Sequence, residues 1–428
     1  MLVGALVGRS GRGVARAAGA RVRRGGPRLA LWNGPCGSSA RRGQGTRCSL
    51  REGRALRRAS PTYDVELEVA IRAVTEASQV ARHVARTLSD SMEEGKLDKS
   101  DTSPVTIADF GVQAIVLKHL SAHFPLDKVC AEENADGLRR ELEVLELVVD
   151  GVRAAEPSAD AEQVCDWIDR GLLRDTTREH RFWTLDPIDG TKGFLRRQQY
   201  ALCLALIVDG EPVVAAQACP NLPVGEDYLG KVGVSSQQEL GQLSSTCPGA
   251  LFCAVKGRGA WEQALPAPGS KLRSLLEDQK KEDLRVELCL PGFDESRQGG
   301  MRFCESYESG HSSHEDAALV AKELGITRPP LRMDSQVKYG ILSRNEAQVF
   351  LRLPGGLTGG TYRENIWDHA SGTLLLTEAG GDVCDIFGKP LDFSQGYKLF
   401  ENKGVVAASS RELLLKVVGA AAAVRGQQ

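Results

Sequence analysis

The 428-residue sequence contains no apolar run near the roughly 20 residues that a helical membrane span requires, which excludes such a span and leaves no membrane among the expected partners. None of its eleven cysteines forms a C-x-x-C pair or joins a histidine at zinc-ligand spacing, so a structural zinc site is excluded. Cys203, Cys253 and Cys289 sit inside apolar runs and read as small core residues, whereas Cys130, Cys165 and Cys219 fall nearer strand ends or loops. Acid is almost missing from residues 1–58, where fourteen arginines face the single acid Glu52 and no lysine occurs. That head therefore carries +13, and the remainder must carry −15 to reach the overall charge of −2. A body this acidic is excluded as a general nucleic-acid binder, since phosphate backbones call for a basic surface. The head also lacks an uninterrupted apolar core, which excludes a secretory signal. Its Arg-, Ala-, Gly- and Ser-rich composition reads as an organellar transit peptide, for chloroplast or mitochondrion. An arginine-rich RNA-binding arm is the competing reading. No internal repeat appears, and no low-complexity tract outside the head.

What the sequence does have is a concentration of acids at element ends. Asp186-Pro187-Ile188-Asp189-Gly190-Thr191 follows the apolar Phe182-Trp183-Thr184-Leu185, which reads as the end of a buried strand. Pro187 restricts the backbone and Gly190 permits a tight turn, so Asp186 and Asp189 can enter one small volume with the Ile188 carbonyl between them. Hard oxygens so gathered suit Mg²⁺. A helix starting at Gly190-Thr191 would aim free N–H groups at an anion. Metal plus phosphate is the implied chemistry.

Three further acidic segments have the same character. Glu132-Glu133 follows the strand-like Lys128-Val129-Cys130-Ala131, and Trp367-Asp368-His369 opens a helical run from Ala370 to Ala379. Asp109 stands at the head of an amphipathic run from Phe110 to Phe124. Several carboxylates crowded together would repel strongly without cations, so such a group makes sense mainly as a divalent-metal cage.

Taken together, Asp186-Pro187-Ile188-Asp189-Gly190-Thr191, Glu132-Glu133, Trp367-Asp368-His369-Ala370-Ser371-Gly372 and Glu378-Ala379-Gly380-Gly381 resemble the inositol monophosphatase superfamily of lithium-sensitive, Mg²⁺-dependent phosphatases. Within it, Thr191-Lys192-Gly193-Phe194-Leu195-Arg196, Glu308-Ser309-Gly310-His311-Ser312-Ser313-His314, Asp334-Ser335-Gln336-Val337-Lys338-Tyr339 and Phe350-Leu351-Arg352-Leu353-Pro354 are similar to the 3′(2′),5′-bisphosphate nucleotidase branch. The resemblance runs from Tyr63 to Ala408. Ala131, Asn134 and Arg197-Gln198 depart from the usual pattern, and the segment Gly355 to Asn365 is slightly long; no metal acid is lost.

The resemblance implies a layered α/β fold, an αβαβα sandwich, with two or three Mg²⁺ held by Glu132, Asp186, Asp189, Asp368 and the Ile188 carbonyl. It implies Asp109 and Thr191 as the catalytic pair that orients and activates water. A Thr hydroxyl is a poor base alone and needs a carboxylate beside it. Thr191, His311, Ser335, Lys338, Arg352 and Asp368 are the implied substrate contacts, with His314 an alternative to His311. Lys338 and Arg352 would hold a phosphate that is not cleaved, and His311 and Ser335 would engage sugar or base. The implied substrate is adenosine 3′,5′-bisphosphate (PAP), with its 5′-phosphosulfate analogue (PAPS) as a second candidate. An inositol polyphosphate 1-phosphatase or inositol monophosphatase is the runner-up. A family member that kept the fold and lost catalysis is disfavoured, because every metal acid is present.

The organisation expected along the chain is a head at 1–58, an N-terminal α/β domain at 59–245 and a C-terminal one at 246–420. Long helices are expected over Tyr63 to Ser91 and Leu138 to Asp150, followed by a surface loop from Gly151 to Asp160. Two hairpins are expected, one turning at Asp209-Gly210 and one at Lys256 to Gly259. Pro220-Asn221-Leu222-Pro223 is expected to break the sheet.

Overall fold

Valine and alanine at helical spacing build the first layer. Helix α1 (Asp64–Glu93) buries Val69, Ala73, Val74, Ala77, Val80, Ala81 and Val84 along one face. Helix α2 (Ser103–His123) starts with Pro104 in its first turn, where a missing N–H is harmless. The helix thus begins six residues before Asp109, so this acid lies inside the helix and not at its head. The computed structural model describes residues 62–93, 103–225, 248–267, 285–307 and 312–427. The arginine-rich head and His311 lie outside the described residues.

The two long helices pack on one face of a seven-stranded sheet whose order follows the sequence. Strand β1 (Lys128–Ala131) pairs in parallel with β2 (Arg181–Asp189), and between them lie α3 (Leu142–Arg153) and α4 (Ala161–Asp169). The Asp160 carboxylate accepts from the Gln163 backbone N–H and Gln163 reaches back, a reciprocal cap that starts a helix directly after the loop expected at Gly151 to Asp160. A single turn, α5 (Thr191–Leu195), precedes β3 (Ala201–Val208) and β4 (Glu211–Pro223). Asp209 and Gly210 turn that hairpin with φ of 52° and 76°, as a right-twisted two-residue turn requires. Strands β5 (Gly249–Val255), β6 (Gly259–Ala264) and β7 (Val286–Leu288) complete the sheet in antiparallel order.

Two outcomes differ from the sequence reading. Pro220 does not end β4; the strand continues to Pro223 through an irregularity between Cys219 and Pro223, where the register absorbs the missing donors. Strands β5 to β7 lie beyond residue 246 yet extend the first sheet.

The second sheet begins at β8 (Phe303–Glu305), followed by α6 (His314–Glu323), β9 (Leu331–Arg332), α7 (Val337–Ser343), β10 (Val349–Arg352), α8 (Ala370–Glu378), β11 (Asp382–Cys384), β12 (Val405–Ala408) and α9 (Arg411–Gln427). Its strand order is β11-β12-β10-β8-β9. Helices α7 and α8 fill the space between the sheets, with α8 against β4 and β5 on one side and β11 on the other. Helices α6 and α9 cover the outer face. The layers therefore run α, β, α, β, α, which is the sandwich the motifs imply. The far end of α8 is tied to the β5–β6 turn, where both Glu378 carboxylate oxygens accept backbone N–H groups, from Gly257 and Gly259, at 2.8 Å.

Candidate active site

Side chains alternate across a strand, so residues three apart, such as Asp186 and Asp189, would point to opposite faces of a regular β2. The strand is not regular there. Asp186 pairs with Cys203 but Asp189 pairs with Ala201, so β2 carries one residue more than its partner over this stretch. That β-bulge, which contains Pro187, restores the phase and turns both carboxylates toward one pocket. Gly190 follows in the left-handed region at φ 91°, and a Cβ there would stand 2.8 Å from the Ser335 Cβ. Glycine thus serves twice at this position, allowing the turn and letting α7's leading loop come close.

The pocket has a volume of about 320 Å³ and sits where the end of β2 meets α7, β10 and the start of α8. Of the residues singled out from sequence, Glu132, Asp186, Ile188, Asp189, Thr191, Ser335, Lys338, Arg352 and Asp368 line it. Asp109 is buried behind that lining. Burial and then the charges of Glu133 and Glu132 raise its carboxyl well above the usual range, which puts it beside the Glu pair. Helix α5 packs on α2, bringing Thr191's turn toward Asp109's helix, although among the described residues no hydrogen bond joins the two side chains. His314, the alternative to His311, opens α6 and shares a 2.9 Å hydrogen bond with the carbonyl of the pocket residue Ser306.

The acids are electrostatically unhappy alone. Asp186 and Asp368 are raised well above the usual carboxylate range by burial and by one another's neighbours, Glu132 and Asp189 for the first, Asp189 and Glu364 for the second. Glu132 is exposed at the rim, yet enough protein surrounds its carboxyl, with Glu133 and Asp189 beside it, to push it up to about 7. Burial raises Asp189 as well, opposed by Lys338 and by the Gln336 N–H, which donates to Asp189 Oδ2 at 2.6 Å. Asp186 Oδ1 is buried without a hydrogen-bond partner. A buried, unpartnered carboxylate oxygen among like charges is the donor set a hard divalent cation fits. Among the described residues no three such side chains stand close enough to enclose an ion by themselves.

The lining also holds two cations. Lys338 is buried, its Nζ donating to the Met333 carbonyl at 3.2 Å and lying 5.2 Å from the centre of the Phe350 ring; burial lowers its pKa. Arg352 donates from Nε to Glu364 Oε1 at 3.0 Å. Burial alone would push Glu364 up, but His369 and Arg352 outweigh it and hold the carboxyl down at about 2. Ser335, in the left-handed region at φ 69°, accepts from the Val337 N–H at 3.2 Å. Glu364, His369, Lys192 and Gln336 also line the pocket, and the sequence reading gave them no role. The signal for Gln336 was its place between Ser335 and Lys338 in a segment already marked. For Glu364 no local pattern pointed inward.

With this geometry in hand, similarity to known proteins defines the class. The inositol monophosphatase family profile matches residues 63–424, and the chain belongs to that family. A Schizosaccharomyces pombe protein named 3′(2′),5′-bisphosphate nucleotidase is 41% identical over 374 residues, covering 85% of this chain and 96% of that one. A protein of the same name from Emericella nidulans is 40% identical, covering 81% and 95%. The Arabidopsis thaliana 3′,5′-bisphosphate nucleotidase 2 is 38% identical, covering 82% and 94%. The chain is a phosphoric monoester hydrolase, and it is on the nucleotidase branch that its relatives lie.

Proposed function

We propose that the chain hydrolyses the 3′-phosphate of adenosine 3′,5′-bisphosphate, giving AMP and phosphate, with Mg²⁺ as cofactor and with the 5′-phosphosulfate analogue as a second substrate. The observation that carries this reading is the pocket's two-signed lining, in which Lys338 and Arg352 stand among the acids. A ligand with one phosphate to be cleaved and a second to be held uses both kinds of group. The names of the relatives support the nucleotide as that ligand.

Glu132, Asp186, Asp189, Asp368 and the Ile188 carbonyl would hold the ions, two or three in number. Bound Mg²⁺ would neutralise charge on the transferring phosphoryl group and make water more acidic. Asp109 and Thr191 orient the attacking water and receive its proton, with Asp109 supplying the basicity that a hydroxyl lacks. Lys338 acts as a compact charge and Arg352 as a fork on the retained phosphate. Ser335 engages sugar or base, the role that the sequence motifs assign to His311 as well. Lithium inhibits by competing for one Mg²⁺ position. The arginine-rich head at 1–58 directs the chain to a chloroplast or mitochondrion and is then removed.

The test is phosphate release by the purified chain from the bisphosphate, its phosphosulfate analogue, inositol 1-phosphate and inositol 1,4-bisphosphate, with Mg²⁺ and after chelation. Release that is fastest from the nucleotides and lost on chelation is expected. Faster turnover of either inositol phosphate would overturn the assignment in favour of an inositol phosphatase.

A further inference from the structure

Helix α8 begins without a cap of its own: His369, the residue before it, makes no side-chain bond to the first turn. The N–H groups of a first turn have no partner within the helix and need one from outside when buried. Here the partner comes from another element. Gln336, 2% exposed, accepts at Oε1 from the Ser371 hydroxyl at 2.9 Å and from the Gly372 N–H at 3.2 Å. The other end of the same amide donates from Nε2 to the Trp367 carbonyl at 2.8 Å. One planar group thus grips the chain on both sides of Asp368, one residue before it and three and four after. The backbone of Gln336 faces the other way. Its N–H donates to Asp189 Oδ2 at 2.6 Å, and its carbonyl accepts from Gln217 on β4 at 2.8 Å.

We propose that Gln336 is a positioning residue that sets the separation of Asp189 and Asp368, the acids contributed by β2 and by the start of α8, and so fixes the pocket for its divalent ions. The proposal rests on the metal-dependent reading given above. The side-chain amide offers a donor and an acceptor at one fixed spacing, matching a carbonyl and a helix-end N–H. Glutamate would lose the donor facing Trp367, and alanine would leave the Gly372 N–H and the Trp367 carbonyl buried and unpaired. Because Asp189 is held by the backbone of the residue whose side chain holds Asp368's turn, the two acids cannot drift apart while Gln336 stays bonded.

The experiment measures Mg²⁺ binding to the full-length chain, without substrate, by isothermal titration calorimetry at a temperature well below each variant's Tm. Gln336→Ala is expected to weaken Mg²⁺ binding about tenfold to a hundredfold, the range for losing a residue that orients metal ligands. Val417→Ala, a truncation of a fully buried residue on α9, serves as the control that lowers Tm and leaves Mg²⁺ affinity unchanged. Gln336→Asn keeps the amide but shifts it by one methylene, and it replaces the alanine variant if that one does not fold, with the same loss expected. A purely structural cap would lower Tm and leave Mg²⁺ affinity within about threefold of wild type, and that result would overturn the proposal alone. Wild-type chain that binds no Mg²⁺ would overturn the metal-dependent reading and the proposal with it.

Discussion

Arg352 is the residue whose removal distinguishes the held phosphate from the cleaved one, and the structure says how the experiment must be built. Its Nε donates to Glu364, whose side chain is 2% exposed against 18% for Arg352 itself. Truncating the arginine alone leaves a buried carboxylate with only His369 beside it, at 3.6 Å, and breaking a buried pair in this way costs about 3–5 kcal/mol in stability. The informative comparison is therefore Arg352→Ala in a Glu364→Gln background, where the neutral amide tolerates the loss. A charge-assisted contact to the retained phosphate is worth about 1.5–3 kcal/mol. At about 1.4 kcal/mol per decade, kcat/KM for adenosine 3′,5′-bisphosphate should fall about tenfold to a hundredfold between Glu364→Gln and the double variant. A substrate with the 3′-phosphate alone has nothing at the Arg352 position and should change by less than about threefold. Initial rates of phosphate release at subsaturating substrate report the ratio directly. Equal losses on both substrates would place Arg352 at the reacting phosphate and refute the division of roles.

Asp189→Asn and Glu132→Gln should each abolish Mg²⁺-dependent turnover while the metal-free Tm is equal to or above wild type, because each removes one charge from a repelling group; turnover within about tenfold of wild type for both would exclude them as metal ligands. The metal-free protein should lose stability as pH rises, since Glu132, Asp186 and Asp368 are raised in the fold, the native state there binds more protons than the unfolded chain, and stability falls from about pH 4.5 upward, through about 7 for Glu132. Thermal melts with and without Mg²⁺ check this, the ion being expected to flatten the slope and a melt that climbs with pH in chelator contradicting it. Glu364 has the opposite sign, held down at about 2, so its contribution is present above about pH 4.5 and is lost on acidification toward 2. Glu364→Gln should accordingly soften the acid limb of the same melts. The mature N-terminus in cells should fall roughly between residues 45 and 62, as the end of the Arg-rich composition indicates, and mass spectrometry finding an intact Met1 would defeat that expectation.

Much of the site was legible because its acids stand at the ends of apolar runs, where a strand or helix stops and its side chain is free to enter a pocket. Glu132 after Val129-Cys130-Ala131 and Asp368 before Ala370 are of this kind. The first hairpin was legible from Asp209-Gly210, since few other pairs accept two positive φ angles in succession. Pro220 misled because a proline is read as a stop, whereas an irregular pairing beside Cys219 carries the strand past it. Strands β8, β11 and β12, of three or four residues, are too short to show alternation, and their pairing is set by distant partners. Gln336 and Glu364 were opaque for a related reason. Their importance lies in what they bond across the fold, and a polar residue in a loop looks the same whether it faces water or a helix end.

The bulge in β2 ties the spelling of the turn to its geometry. Three residues from one acid to the next is the wrong count for a strand and the right count for a strand with one residue to spare. Straightening the strand at its present spacing would yield an ordinary ladder, regular in its pairing, with one carboxylate facing the core helices and one facing the pocket. The irregularity and the spacing are thus a single heritable unit. Lineages can vary the residue between proline and the second acid, but losing the bulge without the extra residue, or the extra residue without the bulge, would turn one acid away from the pocket.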